Sequence, residues 1–489
     1  MIPVLLLLIP LISGLAAFLF RNGNGARTLA LLASLATLAV SLIGLTQSQQ
    51  QLSADCSWLP MLGARFTVAL DGMGQILALL TAIAFPVIFI ATWKSVYKDA
   101  HQFFGLMLLS QAGLLLVFIA MDALLFYFGW EIALIPAYFL CSKWGGERRI
   151  QATFKFFVYT FAGSLLMLIA LIYLYLQTPD QSFALKSIMA LDLPIKTQAW
   201  ILVALFVAFA IKMPVFPLHT WQPDTYEQSP TAVTMVLSGV MVKMGVFGIL
   251  RWLVPVVPEA AYMWGDPIMS CAVIGVVYAS IIAITQDDLK RFVAYSSIAH
   301  IGIMVMAIFS YTGTGIEGAV LQMFNHGVNI IGLWIVIELI ERQYGTRKMS
   351  ELGGLAQQSP ALAIFLVILA FANIALPLTN AFVGEFLMFN GIFSTKYTDY
   401  NIVFAVIAGL SIILSAVYTL NMVQKVFFGN TNALTARGYA LSMNEKLALS
   451  ALVAIIIFFG VYPQPLIDLG SGTVNELTDI IQQSIKLKM

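Results

Sequence analysis

The sequence predicts an all-α polytopic membrane protein, and three observations carry the prediction. Only 10% of the 489 residues are charged, against about 25% in soluble globular chains. Hydrophobic residues make up 60%, with a mean hydropathy of +0.91. The apolar residues also gather into runs of the roughly 20 residues that a bilayer span needs. A chain this poor in charge cannot cover a water-facing surface, so lipid is its main solvent. The net charge of +1 provides no electrostatic pull on nucleic acid, and no nucleic-acid partner is expected.

Counting the runs gives about fourteen spans. They lie at 2–20, 27–46, 73–93, 102–121, 123–142, 153–176, 198–218, 229–253, 266–285, 293–311, 315–338, 360–391, 402–427 and 446–463. The apolar start from Met1 to Phe20 lacks a basic leading segment and a cleavage site, so it reads as the first span and not as a removed signal. The stretch Leu52–Asp71 is too polar to span. Its alternating Arg65-Phe66-Thr67-Val68-Ala69-Leu70-Asp71 predicts a short external β-hairpin. Thr178–Lys196, opened by Pro179, reads as a second external loop. No flexible linker interrupts the chain, so 1–489 is expected to be one membrane domain. Cys56, Cys141 and Cys271 show no metal-ligand spacing and read as small apolar packing residues.

Lys and Arg in the loops set the orientation. With the N-terminus outside, the inner loops hold Arg21, Arg27, Lys94, Lys98, Lys143, Arg148, Arg149, Lys290, Arg291, Arg347 and Lys348 among others. The outer loops hold fewer, including Arg65, Lys186, Lys196, Lys396 and Lys488. Both termini are therefore expected on the non-cytoplasmic side.

Ionisable residues at bilayer depth cost at least about 2.5–3.5 kcal/mol each and are functional by default. Four stand out: Glu131 in the fifth span, Lys212 in the seventh, Lys243 in the eighth and Glu385 in the twelfth. Desolvation loosens the hold of a buried lysine on its proton and tightens that of a carboxylate. A Glu–Lys pair offsets the two effects, and separating it releases the proton. The plain alternative for Glu131 and Lys212 is a static pair that docks two helices, but that leaves Lys243 without a role. Pro214 and Pro217 follow Lys212, and Pro377 precedes Glu385, so spans seven and twelve are predicted to be discontinuous. Carbonyls freed at this depth are tolerated only inside protein or against water. His326 shares a helix face with Gln322 and Asn329, and Asn325 flanks it. His300 follows Ser296 and Ser297. These polar stripes can hold water between the charged sites. His219 lies at the end of the first break and is the weaker candidate. No Gly-rich nucleotide loop and no cysteine cluster is present, so no cofactor-binding or metal residues are expected.

These segments together resemble the proton-channel family shared by respiratory complex I and Mrp-type cation/proton antiporters. The matching words are Trp130-Glu131, Lys212 through Asp224, Ser229-Pro230-Thr231, Asp288 through Gly302, and Phe382-Val383-Gly384-Glu385-Phe386. The resemblance covers about residues 60–430. Within the family, NuoL-like and NuoN-like chains carry Lys at the terminal break and NuoM-type chains carry Glu, as Glu385 does here. The resemblance implies that Glu131 pairs with and modulates Lys212, that Lys243 is the central relay, and that Glu385 is the terminal exchange residue. His300 and His326 would connect the last two. It also implies two inverted five-helix repeats, 102–253 and 266–427, followed by a last helix and tail, 446–489. NADH, FMN, iron–sulfur clusters and quinone would sit on partner subunits, with NuoL-like and NuoN-like chains flanking this one in a bacterial inner membrane. The competing expectations are an Mrp-like Na⁺/H⁺ antiporter subunit, a proton-channel subunit of a related hydrogenase or ferredoxin-linked complex, and a scaffold whose charges only dock helices.

Overall fold

The computed structural model describes residues 1–486 apart from Arg21 and Gln49. Arg21 and Lys488, used above for orientation, lie outside the described residues. Among the described residues twelve helices are long and apolar enough to cross a membrane, and the shorter apolar helices Ile2–Ala17 and Pro360–Asn373 fall at the first and twelfth predicted spans. Helix starts follow side-chain chemistry. Asp71, Asp122 and Asp288 each accept a hydrogen bond from a backbone N–H in the first turn that follows. Ser442 and Glu445 form a reciprocal capping box.

Burial sorts the helices. Thr231–Leu253 is wholly buried, and Leu289–Ile308 and Gly313–Tyr344 nearly so. Gly23–Gly44, Asn401–Phe427 and Met443–Val461 are buried over only about a third of their length and form the perimeter. The ionisable residues singled out above on the central helices are therefore shielded from lipid by protein. Two faces cap the bundle. One carries the hairpin of strands Ser53–Leu59 and Ala64–Ala69, paired antiparallel as the alternation predicts. On the other, Arg148, Arg291 and Arg347 converge on Glu227; we call it the arginine face.

Several expectations change. The loop Thr178–Lys196 contains a short helix, Leu185–Met189. The tail beyond the last predicted span forms helix Gln464–Lys486. Leu466, Val474, Leu477 and Ile481 are buried along one side of it, at helical spacing. All three cysteines are free, and Cys56 is exposed on the hairpin, so the packing role does not hold for it.

Helices seven and twelve are broken as predicted. The first runs Ile195–Lys212, turns irregularly, and resumes as Trp221–Gln228. The second runs Pro360–Asn373 and resumes as Asn380–Ser394. The turns share a hydrogen-bond pattern. Val215 N–H donates to the Ala210 carbonyl (2.9 Å) and Leu218 N–H to that of Val215 (2.7 Å). In the second turn Leu376 donates to Phe371 (3.0 Å) and Thr379 to Leu376 (3.0 Å). This register places Asn373 opposite Lys212, one residue away from what the prolines suggest.

Candidate functional site

The functional side chains sit where helices come unusually close or lose their regular bonding. Gly245 lets helix Thr231–Leu253 lie against the end of Ile195–Lys212. A Cβ there would come 2.6 Å from the Phe209 carbonyl oxygen and 2.8 Å from Met213 Cβ. Gly318 does the same for the second broken helix, where a Cβ would meet the Met388 nitrogen at 2.6 Å. Helix Thr231–Leu253 contains two π-helical turns, 237–241 and 249–253, on either side of Lys243. Such turns free backbone groups and concentrate at functional sites.

Lys243 is fully buried. Its ammonium donates to the Ser238 carbonyl, in the first π turn, at 2.7 Å and meets His326 Nδ1 at 2.8 Å. The His326 and His300 rings lie 5.6 Å apart. His300 Nδ1 lies 3.2 Å from Glu385 Oε1, which also accepts from Gln322 Nε2 at 3.4 Å. Lys243, His326, His300 and Glu385 thus form one buried file across three packed helices and the broken one.

Helix Gly313–Tyr344 also answers the second break. Asn325 Nδ2 donates to the Asn380 carbonyl at 2.8 Å, and Asn329 Nδ2 to the Ala372 carbonyl at 3.2 Å. The first break is served by Trp221 Nε1, which donates to the Ile211 carbonyl at 2.9 Å. These three carbonyls are taken up by protein, as bilayer depth requires.

Lys212 differs from expectation. Its ammonium lies over the Trp130 ring (5.4 Å) and the Phe156 ring (5.9 Å) and has no hydrogen-bond partner. Glu131 is the charged group whose field reaches it, but among the described residues no ion pair joins the two. The static docking pair is therefore not formed, and the expected Glu131–Lys212 pair is open. Among the described residues Glu131 Oε1 and the Gln111 amide are likewise buried and unpartnered, and Gln222 and the Tyr226 hydroxyl, buried beside each other, find no further partner. His219 stacks on Phe216 and meets Tyr278 edge-on, away from the Lys243 file.

On the arginine face, Arg148, Arg291 and Arg347 reach Glu227 at 3.0, 2.9 and 3.2 Å. Lys155 and Arg291 hold Asp224 at 2.8 and 3.1 Å. Burial works against the Glu227 charge, but Arg291, with Arg347 and Arg148, outweighs it and keeps the carboxyl below its usual range. This hub was not among the sequence candidates. Its members are scattered through four loops and helix ends, and only the fold brings them together.

With this geometry, the transmembrane family described as NADH:quinone oxidoreductase/Mrp antiporter matches residues 120–413. The chain belongs to this family. The match spans both broken helices and the whole Lys243–Glu385 file. NADH-quinone oxidoreductase subunit M of Rickettsia prowazekii is 35% identical over 96% of this chain and 97% of its own length. F(420)H(2) dehydrogenase subunit M of Methanosarcina mazei is 32% identical over 96% of this chain and 97% of its own. Among solved structures, a chain of respiratory complex I from Thermus thermophilus superposes with a TM-score of 0.91 at 27% identity, covering 98% of this chain and all of the other.

Proposed function

We propose that this chain is a proton-translocating membrane-arm subunit of an NADH:quinone oxidoreductase. It moves protons through buried Glu, Lys and His side chains while electron transfer takes place on partner subunits. One observation carries the reading: in a member of this family, Lys243, His326, His300 and Glu385 form a buried file of titratable groups, in direct contact at its two ends and joined in the middle by imidazole rings 5.6 Å apart. A buried ammonium between a carbonyl and an imidazole can hand its proton to that imidazole when the nitrogen is free to accept. His300 then connects to Glu385, the terminal exchange group. Lys212 loads the file and Glu131 modulates it. Buried polar groups are nearly always satisfied by protein or water, so the incompletely partnered atoms of Glu131, Lys212, Gln222 and Tyr226 mark where water would link Lys212 to Lys243.

NADH, FMN, iron–sulfur clusters and quinone belong to partner subunits in this account, and NuoL-like and NuoN-like chains flank this one. The chain sits in a bacterial inner membrane in this reading, and the Lys and Arg bias supports an orientation with the arginine face cytoplasmic and both termini on the other side. The Methanosarcina relative, named for a different electron donor, supports the view that donor identity resides outside this chain. The test replaces Lys212 or Glu131 with Ala in the intact complex. Quinone reduction coupled to proton uptake falls strongly while assembly persists. Normal pumping in both variants would contradict the relay, and dependence on added Na⁺ in place of pH would favour the antiporter reading.

A further inference from the structure

A second buried polar cluster adjoins the file and has no part in it. Ser296 donates to the Tyr418 hydroxyl at 3.1 Å. Asn373 Nδ2 donates to the Ser296 hydroxyl at 3.3 Å and to the Thr419 hydroxyl at 3.3 Å. All four residues are buried, Ser296 and Thr419 completely. Ser297 beside them keeps a buried hydroxyl without a partner among the described residues, and Ser415 adds its own buried hydroxyl next to Tyr418. Five hydroxyls and an amide at bilayer depth are costly if they serve only packing.

Two registers relate this cluster to the Glu131–Lys212 site. The hydrogen-bond pattern of the helix breaks sets Asn373 opposite Lys212. Asp122 and Asp288 cap helices five and ten alike, and each forms an isolated β-bridge with a later loop, at Ala184 and Lys348. Counting on from these caps, Glu131 and Ser297 fall at the same position. The second half of the chain therefore carries a neutral, hydrogen-bonded version of the charged site in the first.

The cluster also has a route to the arginine face. Ser296 lies one helical turn before His300, and helix Asn401–Phe427, which carries Tyr418, packs against both Leu289–Ile308 and Asn380–Ser394, the helices of His300 and Glu385. On the other side, the Phe292 ring packs edge-on against Tyr418 at 5.6 Å. Beyond Phe292 lies a small void of about 10 Å³ lined wholly by apolar groups, among them Leu289, Ile340, Leu366, Met422 and Phe427. That volume is roughly the room for one water. At its far edge, next to Leu289 and Ile340 in the chain, the buried Lys290 ammonium meets Glu341 at 2.8 Å. Ion pair, apolar constriction, hydroxyl cluster and His300–Glu385 thus follow in line.

We propose that Ser296 and Tyr418 are relay residues of a second proton inlet, which leads from the arginine face through the Phe292 constriction directly to the Glu385 end of the file. The proposal rests on the proton-relay reading above. In each passage Tyr418 gives its hydroxyl proton toward His300 and Glu385 and takes one from Ser296, which is refilled by water in the constriction. Neither hydroxyl changes charge over a cycle. At rest the apolar void keeps the inlet closed.

The test uses the intact complex in sealed liposomes. Tyr418→Phe keeps the ring and removes the hydroxyl; protons moved per NADH oxidised fall, while NADH oxidation continues. Phe292→Ala opens the constriction; a preformed pH gradient then decays several-fold faster through the idle complex. Wild-type behaviour in either variant overturns the inlet. Lys243→Ala, measured alongside, separates the two ideas. If it stops pumping while Tyr418→Phe pumps normally, only the inlet fails. If it pumps normally, the relay itself fails.

Discussion

Replacing His326 by Leu removes one of the two groups that receive the Lys243 proton. Lys243 is fully buried, with the Ser238 carbonyl at 2.7 Å and His326 Nδ1 at 2.8 Å as its partners. A hydrogen bond to a charged group is worth about 1.5–3 kcal/mol, and a buried charge deprived of it has no water to replace it. At about 1.4 kcal/mol per factor of ten, the charged state of Lys243 becomes roughly 10- to 150-fold less populated relative to its neutral state. The file is also cut between Lys243 and His300, because the two rings no longer lie 5.6 Å apart. Both effects act on proton transfer, while Leu is close to His in size and leaves no large cavity. The assay is NADH-driven acidification in inverted membrane vesicles, with quinone reduction measured on the same sample. The protein assembles, and proton movement per electron pair falls severely. His326→Gln, which keeps a polar acceptor, loses less. If His326→Leu pumps at the wild-type ratio, Lys243 does not discharge through His326 and the order of the file is wrong.

Other outcomes follow from charges nearer the two faces. Asp71→Asn keeps the helix cap but removes the negative partner of Arg251, whose guanidinium is nine-tenths buried. Breaking such a pair from one side costs about 3–5 kcal/mol, and the thermal midpoint of the detergent-solubilised complex drops; an unchanged midpoint would mean that Arg251 finds water. The depressed Glu227 carboxyl makes the arginine-face hub pH-dependent. Its contribution is present in full above the unfolded value near about 4.3 and is lost as pH falls through the lower folded value. Thermal midpoints of the wild type therefore hold from about pH 8 to pH 5 and fall below about pH 4, whereas Glu227→Gln starts lower and declines less. Parallel pH curves for the two proteins would show that the three arginines do not act through Glu227.

Much of this architecture is legible in the amino-acid order because bilayer physics is strict. Apolar runs had to be helices, and Pro214, Pro217 and Pro377 fall at the two interruptions, although Pro10, Pro86 and Pro136 stay inside continuous helices. The costly residues Lys243, His300, His326 and Glu385 stand out one by one, but their contacts do not. That His326 touches Lys243 and His300 touches Glu385 depends on helix rotation, and Gly245 and Gly318 set the close approaches without declaring their partners. The Glu131–Lys212 pair shows the limit. Opposite charges near each other in sequence logic imply contact, yet Lys212 lies over Trp130 and Phe156 instead. The C-terminal helix was readable after all, since Leu466, Val474, Leu477 and Ile481 keep helical spacing. The π turns around Lys243 have no sequence mark, because they answer to the packing of neighbouring helices.

The most direct measurement of the central claim is the pH gradient formed when the purified complex, reconstituted in liposomes, oxidises NADH, compared between wild type and Lys243→Ala at matched rates of quinone reduction. The account predicts a gradient in the wild type that is largely lost in Lys243→Ala and does not depend on Na⁺. An undiminished gradient in the variant would contradict proton passage through this chain.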